Sequence, residues 1–185
     1  MIELSTIRDL VAIASFIIAL TYYILNLQNQ RETRKTQLFM QIYQNKFNEE
    51  GMNRFWNMLG LQFDSFEEYM EKYGFFSNPG NDTLPLVSSE IAYFDGLGML
   101  LKKKMLDVNT VYDIIGYRTI LIWFKLEVVV KGLRGFGDQG AGADYAKNFE
   151  YLADEMIKIR RNKGIKFPLF YLTKSSTLHQ EYSNP

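Results

Sequence analysis

The chain has 185 residues with 21 Lys+Arg and 21 Asp+Glu, so its formal net charge is zero when its single histidine is neutral. This balance gives no general argument for nucleic acid, which favours a basic face, and we expect no nucleic-acid partner. Cysteine is absent and His179 is the only histidine, which excludes disulfides, thiolate metal sites, cysteine nucleophiles and zinc sites built on two or three histidines. We expect no cofactor.

The most distinctive segment lies near the N-terminus. From Leu10 to Gln30 no residue carries a charge, and residues 10–27 read LVAIASFIIALTYYILNL. An α-helix of this uncharged length spans about 31 Å, which matches the hydrocarbon core of a bilayer. We therefore assign residues 1–30 to an N-terminal segment and transmembrane helix. The chain is expected to be a single-pass protein of the cell membrane.

Three other interpretations of this segment are weaker. A secretory signal peptide begins with a basic region and ends at a cleavage site of small residues. Here the acids Glu3 and Asp9 precede the segment, and the bulky residues at Tyr22-Tyr23 make a poor cleavage site. An amphipathic surface helix needs a polar face, which residues 10–20 lack. A buried core helix stays open, because 18 residues is near the lower limit for a span.

Flanking cations predict the orientation of the span. Only Arg8 precedes it, whereas Arg31, Arg34, Lys35 and Lys46 follow it. The positive-inside bias then places the C-terminal domain in the cytoplasm and the short N-terminus outside. The juxtamembrane basic residues Arg31, Arg34 and Lys35 are also expected to contact anionic lipid.

Two further features concern the N-terminal helix. Ser15 and Ala19 form a small-xxx-small pair, which could let two anchors approach closely as a dimer. Residues 31–37 form a basic stalk that is polar all round and contains neither glycine nor proline, so the helix is expected to continue through it. The stalk has no apolar heptad seam, and a coiled coil is not expected.

Helical periodicity resumes at residue 38 and predicts a cytoplasmic helical domain over residues 38–163. In its first half, helices are predicted to end at Gly60 and at Gly74. Ser65 followed by Glu68 has the spacing of a capping box at the start of the second of these helices. Trp56 and Trp123 lie on apolar stripes and are expected in the core. The fold class is all-α: a transmembrane helix continuing into a stalk, followed by a bundle of about five helices.

The second half predicts the two strongest helices of the domain. The first runs from Leu86 to Met105, where Gly96 and Gly98 would be compensated by close packing of a neighbouring helix. Asp107 caps the second, which runs to Lys131. Its apolar stretch, residues 120–130, favours a central helix, with a β-strand at residues 128–130 as the alternative. A second span there is disfavoured by two internal charges.

Residues 74–85 and the glycine-rich residues 132–142 are predicted to be loops. The glycines are not preceded by a strand or followed by Gly-Lys-Ser/Thr, so a phosphate-binding loop is not indicated. A last amphipathic helix follows, with Tyr145, Phe149, Leu152, Met156 and Ile159 inward and with Arg160, Arg161 and Lys163 at its end. The C-terminal tail, residues 164–185, contains an apolar patch at 167–172 that we expect to dock on the domain or to touch lipid.

Two acids could carry ligand or ion-pair chemistry. Asp95 and Glu127 each lie beside apolar stripe positions, and a buried carboxylate must be paired or protonated. Arg118 and Lys125 are the expected partners. We favour an ion pair and leave a ligand-binding acid open. No catalytic residue and no metal ligand is predicted, since no Glu-x-x-His pair or activated serine is evident.

Several segments together resemble a known group of proteins. They are an anchor and basic stalk leading into QLFMQIY at residues 37–43, FEEYMEKYG at 66–74, YFDGLGMLLK at 93–102, Trp123, and FEYL at 149–152. This combination is similar to uncharacterised prokaryotic proteins, often archaeal, with one membrane span and a cytoplasmic helical domain of unknown function. The resemblance covers residues 8–160 and implies this architecture. It implies no catalytic residue.

From these features we predict a membrane-anchored helical interaction or scaffold module, such as an accessory subunit of a membrane protein complex, and not an enzyme. Its expected partners are the lipid bilayer and either another protein or a second copy of the chain. The alternative is a domain that senses a small ligand and signals through the stalk.

Overall fold

The computed structural model describes residues 4–74, 83–135 and 142–167. Every regular element within these ranges is a helix, which confirms the all-α prediction. The chain divides into two compact units, Met1–Asn45 and Lys46–Pro185. The second unit therefore begins eight residues after the predicted start of the helical domain.

The first unit consists of most of helix α1, Leu4–Phe47, whose last two residues belong to the second unit. Its apolar side chains are exposed along the predicted span, including Phe16 and Ile18, which are each 69% exposed. Among the described helices, α1 and the later helix at Thr83–Lys102 are long and apolar enough to cross a membrane. None of the apolar window of α1 is buried, whereas that of the later helix is partly buried.

The second unit contains the remaining described helices. In chain order they are α2 (Glu49–Gly60), α3 (Phe66–Tyr73), α4 (Thr83–Lys102), α5 (Val108–Val111), a π-helical turn (Tyr112–Gly116), α6 (Tyr117–Gly135) and α7 (Lys147–Asn162). Helix α7 packs most extensively on α4 and then on α6, while α2 and α3 also pack on α6. Helix α6 thus packs against helices on several sides, as expected for its apolar sequence.

Side-chain caps begin three of these helices. Ser65 Oγ accepts a hydrogen bond from Glu68 N at 3.1 Å, and Glu68 Oε2 accepts one from Asp64 N at 2.7 Å. Asp107 Oδ2 accepts one from Thr110 N at 2.8 Å. Both predicted caps, at residues 65 and 107, are confirmed. Asn48, which was not predicted, caps α2 by accepting from Gly51 N at 2.7 Å.

The strand alternative for residues 128–130 is wrong, because these residues lie within α6, and Val129 and Val130 are fully buried there. Helical packing on several sides accommodates β-branched residues that would otherwise favour a strand. The helix also extends to Gly135, four residues beyond the predicted Lys131.

Aromatic rings fill the junction of α4, α6 and α7. Phe149 of α7 stacks on Phe94 of α4 with ring centroids 5.0 Å apart, and Trp123 of α6 meets Phe149 edge-on, also at 5.0 Å. Trp123 is buried as predicted. The prediction that Trp56 is also a core residue is wrong, because its side chain is 59% exposed. Helix α2 buries its other face, through Gly51, Phe55 and Met58.

Gly98 lets α4 and α7 approach closely. A Cβ atom added at Gly98 would lie 1.9 Å from the backbone oxygen of Asn148, whereas one added at Gly96 would meet no atom within 4 Å. The predicted role of close packing is therefore confirmed for Gly98 and not for Gly96. The predicted loops at 74–85 and 132–142 are too long, because α4 already begins at Thr83 and α6 continues to Gly135. Residues 75–82 and 136–141 of these loops, and the tail after residue 167, lie outside the described residues.

We expect Gly98→Ala to destabilise the second unit by about 1–3 kcal/mol, because the new methyl group must push apart two packed backbones. Gly96→Ala is the matched control in the same helix. It should be neutral or stabilise by up to about 1 kcal/mol, since alanine is the better helix former and the added methyl meets open space. Denaturant unfolding of the full chain in detergent measures both, and equal effects would contradict the close approach.

Candidate functional site

A buried ion pair joins the last turn of α1 to α4 within the second unit. The Lys46 amine lies 2.7 Å from both carboxylate oxygens of Glu90, and the two residues are only 4% and 5% exposed. The amine also lies 3.8 Å from the centroid of the Tyr93 ring. Burial lowers the pKa of Lys46, and the Glu90 carboxylate opposes this shift. The ring and the carboxylate together replace the water that the amine has lost.

Two arginines surround this pair. Arg118 of α6 donates a hydrogen bond to the Lys46 carbonyl oxygen and contacts the Met52 sulfur. Its guanidinium carbon also lies 4.4 Å and 4.7 Å from the ring centroids of Phe47 and Phe55. Burial lowers the pKa of Arg118, against the attraction of Glu90. Because Arg118 engages a carbonyl near the C-terminus of α1, it satisfies a helix end that has no intrahelical donor.

Arg54 of α2 completes the cluster, with its Nε atom 3.8 Å from Glu90 Oε1. Cations from α1, α2 and α6 thus surround Glu90, which Lys46 and Arg54 approach directly and which attracts Arg118 at longer range. The Tyr93 hydroxyl is buried beside them without a hydrogen-bond partner among the described residues, and burial raises the pKa of this tyrosine. Both carboxylate oxygens of Glu90 are engaged by Lys46, so neither is free to act as an acid or base. The contacts of the cluster instead hold the ends of several helices together.

Asp95 serves as the N-terminal cap of another helix. Its Oδ1 atom accepts hydrogen bonds from the backbone N–H groups of Asn148 at 2.9 Å and Phe149 at 3.1 Å, and its Oδ2 atom accepts from Asn148 Nδ2 at 3.1 Å. Ala146, which immediately precedes α7, makes no side-chain cap and has a φ of 53°. A carboxylate on α4 therefore supplies the cap that the local sequence lacks.

The other predicted acid, Glu127, is buried and pairs with Lys131 one turn along α6. The expected cationic partners lie elsewhere: Arg118 binds the end of α1, and the Lys125 amine lies 4.3 Å from the centroid of the Phe63 ring. The described contacts of Asp95 and Glu127 share no partner. The structure therefore does not bring the two predicted acids together on one group.

The residues predicted to act at the membrane belong to the first unit. Ser15 Oγ donates to the backbone oxygen of Val11 at 2.8 Å, and both Ser15 and Ala19 are exposed. Lys35 pairs with Glu32 at 2.8 Å, and Arg31 and Arg34 are exposed. Lys46 differs from these basic residues, because its amine is buried and cannot reach a lipid headgroup.

No group of three or more potential metal ligands occurs among residues 4–74, 83–135 and 142–167. No family model, curated protein or solved structure matches this chain. The resemblance to single-span prokaryotic membrane proteins stays a prediction.

Lys46 and Glu90 were not predicted as partners. Each interrupts an apolar stripe: Lys46 lies between Ile42 and Phe47, and Glu90 lies between Val87 and Ile91. A charge at a core-facing helical position is the signal that could have been used, because burial demands a partner. Because the two residues lie 44 positions apart in the chain, the sequence did not indicate that they pair with each other.

We expect Lys46→Met or Glu90→Leu alone to cost about 3–5 kcal/mol of stability, because each leaves a buried charge without its principal partner. The double variant should recover most of this loss, since it replaces the pair by apolar groups of similar size. Lys158→Met is a control at the exposed Lys158–Glu155 pair, and should cost no more than about 1 kcal/mol. Strictly additive losses in the double variant would show that the two groups are not coupled.

Proposed function

We propose that this protein is a membrane-anchored helical interaction module whose first unit spans the bilayer and whose second unit lies in the cytoplasm as an accessory subunit of a membrane complex. The observation that carries the proposal is the uncharged, exposed surface of α1 over residues 10–27. Water is a poor solvent for so many apolar side chains, since each costs about 1.5–3 kcal/mol when left exposed. Lipid is the solvent that suits them.

The charges flanking this segment support the orientation. Before it, Arg8 pairs with Asp9 at 3.3 Å, so the N-terminal flank has no net charge from these two residues. After it, Arg31, Arg34 and Lys35 are exposed, with Glu32 as the one nearby acid. This excess of cations favours a cytoplasmic location for everything that follows α1.

The outward face of α4 supports an interaction role. Between Thr83 and Leu101 the only charged residues are Glu90 and Asp95, and these are engaged by Lys46 and by the start of α7. Between Thr83 and Leu101 the exposed positions are uncharged: Pro85, Ser88, Ser89, Ala92 and Met99. A surface helix ordinarily presents charge to water. A small, uncharged face allows close approach of a partner helix.

The small-ligand alternative receives less support. It was motivated by Asp95 and Glu127, and both carboxylates are engaged by groups of the second unit itself. Ligand sensing stays a prediction that no specific contact favours over a structural role.

Insertion and orientation can be tested together, because the chain has no cysteine. In intact cells a membrane-impermeant maleimide should label Ser5→Cys, whereas Asn109→Cys should react only after lysis. Ile13→Arg with Ile17→Arg should abolish insertion, since each arginine at mid-span costs about 2.5–3.5 kcal/mol. Thr33→Arg with Gln37→Arg adds the same charge outside the span and should remain inserted. Labelling of Asn109→Cys in intact cells would contradict the predicted orientation and place the second unit outside.

Association can be tested by extracting the full chain from its native membranes in mild detergent. We expect a complex larger than the monomer that Ala92→Arg weakens more than about tenfold, because the interface would bury an unpaired charge. Asn109→Arg adds the same charge at an exposed position of α5 and should leave the complex intact. A monomer in every detergent and salt condition would contradict the interaction role.

A further inference from the structure

Helix α1 carries one face that is uncharged along most of its length. The helix is continuous from Leu4 to Phe47, so positions spaced alternately by three and four residues share one face from the span through the stalk. One such face contains no charged residue over residues 12–43, and all of its members are exposed. We call it the α1 seam, and it consists of Ala12, Ser15, Ala19, Tyr22, Asn26, Asn29, Thr33, Thr36, Met40 and Tyr43.

Within the span the seam differs in size from the other faces of α1. It contains the small residues Ala12, Ser15 and Ala19, whereas bulky side chains such as Phe16 and Ile18 lie on the other faces. Helices in a bilayer associate where small residues let their backbones approach, and most such pairs cross at the angle of a left-handed coiled coil. The small side of the span is therefore the side on which a second helix can pack closely.

Within the stalk the cations lie off the seam. In the seven-residue repeat, Arg31, Arg34 and Lys35 occupy the three positions that face away from it. Glu32 lies beside the seam, and its carboxylate pairs with the Lys35 amine of the same helix at 2.8 Å. Two copies that met along the seam would thus keep their cations apart and exposed to lipid headgroups.

The polar side chains of the seam can be buried in a helix pair. The hydroxyl groups of Ser15, Thr33 and Thr36 donate to backbone oxygens one turn earlier in α1, at 2.8, 2.9 and 3.0 Å. These donors are already satisfied within the helix, so a partner does not have to supply acceptors for them. The amides of Asn26 and Asn29 both donate and accept, and each can therefore bond to its own equivalent in a second helix.

A second copy of the chain is the occupant that suits this face. Two copies inserted by the same rule have the same orientation, so their seams are parallel and lie at the same depth. Each residue then meets its own equivalent across a two-fold axis, as the self-pairing amides require. The seam is roughly 47 Å long, more than four heptads, and such a length is typical of a stable helix pair. Its last members, Met40 and Tyr43, are 43% and 48% exposed, and the second copy covers them from water.

We propose that the protein is a parallel homodimer in which the α1 seams of two copies pack together from the span through the stalk. This proposal rests on the proposed insertion of α1, which gives both copies one orientation, and it names the partner that the anchor binds. It involves residues of the first unit alone. It also replaces the expectation that the stalk forms no coiled coil, because apolar periodicity does not reveal a seam built from asparagine and threonine.

A cysteine scan of the stalk tests the seam, because the chain has no cysteine of its own. Single-cysteine variants of the full chain are expressed as two differently tagged copies in one cell and oxidised in native membranes. We expect crosslinked products that carry both tags, with maxima at Asn29→Cys, Thr33→Cys and Thr36→Cys. Gln28→Cys and Lys35→Cys face away from the seam and should crosslink about tenfold less, because a disulfide joins Cα atoms no more than about 7 Å apart.

A small-to-large substitution in the span tests the close approach of the two helices. Ala19→Leu lies on the seam and should lower the dimer-to-monomer ratio in mild detergent about tenfold, because the larger side chain holds the helices apart. Ala14→Leu adds the same group on another face of the span and should leave the ratio unchanged. Both variants keep the span apolar, so both should remain inserted.

The outcomes separate the dimer from the anchor, since insertion is measured independently by maleimide labelling of Ser5→Cys and Asn109→Cys. Normal insertion without crosslinking at any position overturns the dimer and leaves the anchor. Equal crosslinking at every position overturns it as random collision, and maxima on another face overturn the seam. Crosslinks to a different protein overturn the second copy as the partner. Maxima on the seam in a chain that stays in the soluble fraction would support the seam and contradict the anchor.

Discussion

The contact between α4 and α7 is the interaction on which the second unit depends. Gly98 allows the backbones to approach, and Asp95 accepts hydrogen bonds from the first N–H groups of α7. Phe94 and Phe149 then stack at the same crossing. These three features lie at one crossing, because Gly98 and Asp95 of α4 both contact the first turn of α7 at Asn148. The cap also directs α7 across the core that α6 provides.

Helix α4 also determines where its own charged side chains lie in the second unit. Both acids of α4 point into the second unit, where Glu90 binds Lys46 and Asp95 binds α7. A buried ion pair contributes little net stability compared with apolar residues of the same size, but it penalises every arrangement that separates its members. The pair therefore specifies how the last turn of α1 meets α4. Its further consequence is an outward face of α4 without charge, which is the surface we propose for a partner.

A membrane role unites the features that the second unit does not itself require. The exposed apolar side chains of α1 and the cations that follow them match the chemistry of a bilayer and its headgroups. None of these groups contributes to the aromatic core of the second unit.

Local interactions made much of this architecture predictable. The uncharged run at residues 10–30, the caps at Ser65 and Asp107, and the stripe that buries Trp123 each follow from residues close together in the chain. The exposure of Trp56 did not follow, and the sequence left a strand open at residues 128–130 beside the favoured helix, because both features depend on which face a neighbouring helix covers. The pairings of Lys46 with Glu90 and of Asp95 with α7 join residues 44 and 53 positions apart. Only tertiary packing decides such contacts, since a buried charge requires a partner but does not specify where in the chain that partner lies.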